Sequence, residues 1–146
     1  MGLFSLFTKE IAIDLGTANT VILHDNKVVV DEPSIIAIDS RTKSVVAVGK
    51  KALMMEGKTS GEIYTVRPLR NGVIADFQPT ELMLREFIKM TNTKHSLVTP
   101  AMKMVICIPS GITEVEERAV RESAEQAGAK EVRLIYEPMA AAIGSG

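Results

Sequence analysis

Apolar and small or polar residues alternate from Ile11 to Gly16, the two-residue period of a half-buried strand. Ile11, Ile13 and Leu15 fall on one face; Ala12, Asp14 and Gly16 fall on the other. Thr20–His24 predicts a second strand, with Thr17-Ala18-Asn19 as the turn between the two. Asp25-Asn26-Lys27 is a polar turn, and 28–31 predicts a third strand, so the domain opens on an antiparallel meander. Ile35–Asp39 and Val45–Val48 predict a hairpin whose tip, Ser40-Arg41-Thr42-Lys43, is polar and charged. Residues 50–56 predict a short helix closed by Gly57, and Gly61, Pro68 and Gly72 punctuate the stretch after it. The stretch from Pro33 to about Ala75 therefore reads as a small inserted unit.

The second half alternates helix and strand. Pro79 suits a first helical position, and Leu82, Leu84, Phe87, Ile88 and Met90 follow. Met104–Ile108, "MVICI", is a continuous apolar run that predicts a central strand buried on both faces, with Cys107 as a core residue. Thr113 and Glu116 have the spacing of a capping box. The helix they open is expected to run to Ala127, with Gly128 at the position that favours glycine. Its residues Ala119, Val120, Ser123, Ala124 and Ala127 make a small-residue face for close packing on a sheet. Val132–Tyr136 predicts a strand, and Pro138 opens a last helix. Three antiparallel strands followed by helix, strand, helix, strand, helix give an α/β domain. It is a mixed sheet with flanking helices in ribonuclease H-like order (βββαβαβα), carrying a small inserted α+β subdomain.

Composition narrows the function. The 146 residues are 46% hydrophobic and 24% charged, enough to bury a core. A formal net charge of -1 gives no electrostatic footprint for nucleic acid. One cysteine excludes an internal disulfide, and His24, His95 and Cys107 have no metal-ligand spacing. The first residues, "MGLFSLF", put Leu3, Phe4, Leu6 and Phe7 at a chain end. They lack the basic start of a signal peptide. Either they pack on the domain or lie free of it, or they form a short interfacial anchor.

Asp14 is the candidate for chemistry. A carboxylate in an apolar strand needs a partner. The small residues Gly16, Thr17, Ala18, Asn19 and Thr20 can aim backbone N–H groups and side-chain donors at one anion. Phosphate alone beside Asp14 would be repelled. A hydrated Mg²⁺ between carboxylate and phosphate resolves the conflict. The alternative is a tight hairpin in which Asp14 caps its own turn.

Four separated stretches carry a resemblance. "IAIDLGTANT" resembles the first phosphate motif of the actin and heat-shock-chaperone ATPase superfamily. "DEPSIIAID", "VRPLRNGVIADF" and "EPMAAAIGSG" narrow it to the MreB family of bacterial actin homologues, from about Ile11 to Gly146. The resemblance implies actin-like subdomain IA over 1–32 and 76–146, and subdomain IB, which meets the next subunit of a filament, over 33–75. It implies that Asp14 (through water to Mg²⁺) and residues 16–20 hold ATP, with GTP the other candidate. Glu137 is then the catalytic residue that positions the attacking water. Members continue into a second nucleotide-binding domain with a second phosphate loop. The expectation is therefore domain I of a longer polymerising ATPase, inactive as this fragment. It would direct cell-wall synthesis and rod shape from the cytoplasmic face of the membrane. Its expected partners are other copies of itself, the inner membrane surface and cell-wall elongation proteins, with no nucleic acid. The tail residues, with Leu97 and Val98 in "TKHSLVTP", are the expected membrane contacts. The alternatives are a chaperone-like or sugar-kinase-like ATPase core, or a non-catalytic interaction fragment.

Overall fold

The computed structural model describes residues 8–58, 61–91 and 101–146; the membrane candidates Leu3, Phe4, Leu6, Phe7, Leu97 and Val98 lie outside them. The meander forms as β1 (Thr8–Leu15), β2 (Asn19–His24) and β3 (Lys27–Pro33). The tight link between β2 and β3 is made by Asp25 and Asn26, both at positive φ, where Asp and Asn are tolerated best. The inserted unit holds β4 (Ile36–Asp39), β5 (Val45–Val48), α1 (Gly49–Met55) and β6 (Ile63–Val66). These strands form a separate three-stranded sheet in the order β5-β4-β6. Ile35, Ala37 and Ala52 make its own small core, with Ala47, Met55 and Ile63 against it.

The remaining elements are the two-residue strands β7 (Leu69–Arg70) and β8 (Val73–Ile74), α2 (Phe77–Met90), β9 (Ala101–Ile108), α3 (Glu114–Gln126), β10 (Ala129–Tyr136) and α4 (Glu137–Ser145). The main sheet has the order β10-β9-β1-β2-β3. The pairs β1–β9 and β9–β10 are parallel; β1–β2 and β2–β3 are antiparallel. This is the expected mixed sheet.

Among the described residues, its core lies on one face. Ile11, Ile13, Leu15, Ile22, Met104, Ile106 and Ile108 pack there with Met83, Leu84, Phe87 and Ile88 of α2 and with Val120 and Ala124 of α3. Met104–Ile108 is therefore not buried on both faces, a correction to the sequence reading. The strand begins at Ala101 and alternates, with Met102, Met104, Ile106 and Ile108 inward, Val105 exposed and Cys107 half-buried. Five consecutive apolar residues hide an alternation that the longer strand makes plain. A trough of about 560 Å³ crosses the open face, lined among others by Ala12, Leu23, Lys103, Val105 and Arg133.

The capping box on α3 is present in both directions. The Thr113 hydroxyl accepts from the Glu116 N–H, and the Glu116 carboxylate accepts from the Thr113 N–H at 2.7 Å. Those bonds hold the Glu116 carboxyl below its usual range. Pro79 stands two residues inside α2 rather than at its first position, because the helix starts at Phe77. Its missing N–H still falls among the first four, which have no partner within the helix.

Candidate functional site

The parallel strands β1, β9 and β10 end together. Asp14 is opposite Cys107, Cys107 is opposite Ile135, and Ile108 is opposite Tyr136, the residue before Glu137. The carboxyl ends of parallel strands are where open α/β sheets hold ligands. Asp14 is exposed and faces away from the isoleucines, as the alternation requires. Glu137 is exposed at the first turn of α4, where a helix N-terminus favours negative charge. Both carboxylates act on the thiol between them. Burial pushes the Cys107 pKa up, and the charges of Asp14 and then Glu137 push it further. A single cysteine thus senses both candidate residues.

The turn after β1 is closed by contacts within itself and from distant segments. Gly16 is required: a Cβ there would lie 2.5 Å from the Asn19 carbonyl oxygen. Thr17, Ala18 and Asn19 are exposed. The Thr17 hydroxyl accepts from the Gly72 N–H at 2.7 Å. The Asn19 side-chain amide donates to Asp31 at 3.1 Å, which directs it toward β3. Thr20 is fully buried and its hydroxyl lies 2.9 Å from that of Ser34, so Thr20 braces the turn from beneath.

Sequence reasoning missed two participants. Ser34, fully buried, donates its hydroxyl to the Gly16 carbonyl at 2.6 Å and its N–H to the Ala18 carbonyl at 2.8 Å. Gly72 is the second. Asn71-Gly72, both at positive φ, form the two-residue link between β7 and β8, and Asn-Gly between apolar residues is the sequence signal for such a hairpin. The tip presses on Pro109, just after β9. Two segments remote in sequence, 31–34 and the Asn71-Gly72 tip, therefore meet at the 16–20 turn.

The fit to a magnesium nucleotide rests on this donor set. Among the described residues no three His, Cys, Asp or Glu side chains converge as a protein-only metal cage. One exposed carboxylate beside a turn of small residues suits a cation that keeps most of its waters and takes its other ligands from phosphate. The trough on the open face includes neither Asp14 nor Glu137. No described helix is long and apolar enough to cross a membrane.

Comparison with known proteins agrees with the fold. A family profile described as MreB/Mbl protein matches residues 8–146. The cell shape-determining protein MreB of Escherichia coli (strain K12) is 50% identical over 146 residues, covering 97% of this chain and 42% of that protein. The cell shape-determining protein Mbl of Bacillus subtilis (strain 168) is 48% identical over 142 residues, with the same coverage of 97% and 42%. The chain thus spans less than half the length of these curated relatives. Among solved structures, MreB5 of Spiroplasma citri bound to ADP superposes with a TM-score of 0.79 at 38% identity, covering 95% of this chain and 41% of that one. A MamK double helical filament superposes at 0.70 with 18% identity, covering 90% and 41%, which speaks to the fold alone.

Proposed function

The chain belongs to the MreB/Mbl family, and from that premise we propose that it is the nucleotide-binding N-terminal part of an actin-like, filament-forming ATPase that governs cell shape. The observation that carries the proposal is that Asp14, with the 16–20 turn behind it, and Glu137 lie together at the carboxyl ends of β1, β9 and β10. The related MreB5 of Spiroplasma citri has been solved bound to ADP and to AMPPNP.

In this reading the turn from Gly16 to Asn19, exposed from Thr17 on, would receive phosphate oxygens on its backbone N–H groups. Asp14 would hold a hydrated Mg²⁺, and the bound ion would neutralise phosphate charge. Glu137 orients a water molecule and takes up its proton. Phosphoryl transfer asks little more of a protein than such positioning and charge compensation. The separate sheet β5-β4-β6 with α1 is the unit we assign to subdomain IB and to contact between subunits.

We also infer that the protein acts at the cytoplasmic face of the membrane together with the cell-wall elongation machinery. Thr8 pairs with Ala101, so the chain enters β1 and β9 side by side, at the sheet end opposite Asp14 and Glu137. In the sequence, residues 1–7 directly precede Thr8, and Leu97 and Val98 stand shortly before Ala101.

The test uses full-length protein. Glu137→Ala is expected to slow ATP hydrolysis about 10²-fold, the scale of one positioned acid–base group, with nucleotide affinity within about threefold and filaments still pelleting with ATP. Collapsed affinity with unchanged hydrolysis per bound ATP would remove Glu137 from this role.

A further inference from the structure

We propose that Ser34 is the positioning residue of the nucleotide turn: it holds two carbonyls of the turn inward and thereby turns two N–H groups outward. The inference rests on the nucleotide reading of that turn. Ser34 follows β3, and its side chain is fully buried against the turn. Its hydroxyl has one proton. At 2.6 Å from the Gly16 carbonyl oxygen, an acceptor with no proton of its own, the Ser34 hydroxyl must be the donor. Its contact with Thr20 at 2.9 Å then runs the other way, with the Thr20 hydroxyl donating and Ser34 accepting. A hydroxyl that accepts one bond is polarised to donate the next more strongly. The Ser34 backbone N–H meanwhile holds the Ala18 carbonyl at 2.8 Å.

Those two carbonyls fix two peptide planes. No described peptide bond is cis, and in a trans peptide the C=O and the N–H of the next residue point in opposite directions. With the Gly16 and Ala18 carbonyls directed at Ser34, the N–H groups of Thr17 and Asn19 point away from it. They flank the exposed Ala18. An anion meeting the turn finds its donors already oriented, so binding need not reorganise them. Thr20 contributes from beneath by completing the Ser34 hydroxyl, without facing the ligand.

The experiment measures Mg-ATP and adenosine separately in full-length protein, each by competition against a fluorescent ATP analogue, for wild type and Ser34→Ala. The expected result for Ser34→Ala is a loss of about tenfold or more in Mg-ATP affinity, the scale of one hydrogen bond to a charged acceptor, with adenosine affinity within twofold. That split separates positioning of the phosphates from general damage, which would weaken both ligands. Amide hydrogen exchange on the wild type supplies a reading that does not depend on the variant folding. The Thr17 and Asn19 amides should exchange freely without nucleotide and become protected with Mg-ATP. Unchanged Mg-ATP affinity in Ser34→Ala, parallel losses for ATP and adenosine, or amides already protected without nucleotide would each overturn the assignment. Wild-type protein that binds no Mg-ATP would overturn the nucleotide reading itself, and the role of Ser34 with it.

Discussion

Replacing Gly72 by alanine should cost far more than the same change at Gly57, although both glycines have positive φ, +81° and +72°. An L-residue in that region costs about 1–2 kcal/mol. At Gly57 this is the whole cost, because a Cβ there meets no atom of the described residues within 4 Å. At Gly72 the Cβ would lie 2.5 Å from Pro109 Cγ, well inside van der Waals contact. Forcing an atom into a packed site typically costs a further 1–3 kcal/mol, so Gly72→Ala should cost about 2–5 kcal/mol. The Pro109 ring supplies a control. Its Cβ is 3.7 Å from the added methyl, so Pro109→Ala removes the clash and leaves ordinary contact. In a Pro109→Ala background Gly72→Ala should cost only what Gly57→Ala costs. Urea unfolding of the 146-residue chain, followed by circular dichroism, gives all the values, with unchanged slopes showing that stability alone has moved. Equal costs at the two glycines, or Gly72 and Pro109 substitutions that add within about 0.5 kcal/mol, would refute the reasoning. The stakes extend beyond stability, because the Gly72 N–H is the partner of the Thr17 hydroxyl.

Two further expectations concern the site and the chain end. Cys107 should alkylate more slowly than a free thiol at pH 8.5, and Asp14→Asn or Glu137→Gln should each speed it, since both carboxylates raise its pKa; unchanged rates would separate those residues from the thiol. The sign for stability follows: the folded-state pKa is raised above 9.0, so the contribution of the neutral thiol is complete below pH 9 and is lost as pH rises through the folded value. Deleting residues 2–7 from full-length protein should reduce co-sedimentation with anionic vesicles, as four large apolar side chains offer at most about 6–12 kcal/mol on insertion; equal sedimentation would show that the tail is not the anchor.

Periodicity was enough to orient Asp14, because Ile11, Ile13 and Leu15 alternate strictly and only one register buries all three. The capping box at Thr113 and Glu116 was equally legible, being a local signal with a local cause. Legibility failed where the cause was distant or the element too short. Ser34 looks like one more turn residue after Pro33, yet its partner Gly16 is 18 residues away and only the pairing of β2 with β3 brings them together. The β7–β8 hairpin has two-residue strands, too brief for any alternation, so its Asn-Gly tip read as punctuation. For β9 the run of five apolar residues outweighed Lys103, whose exposed position already marked the outward face.

The central claim is that Asp14 and the turn behind it hold a magnesium nucleotide. Isothermal titration of full-length wild type and Asp14→Asn with ATP, with Mg²⁺ present and with Mg²⁺ chelated, tests it most directly. The account predicts that wild-type affinity depends strongly on Mg²⁺, and that Asp14→Asn binds Mg-ATP more weakly and loses most of that dependence while melting at the same temperature without nucleotide. Wild-type affinity with an undiminished magnesium dependence in Asp14→Asn would contradict it.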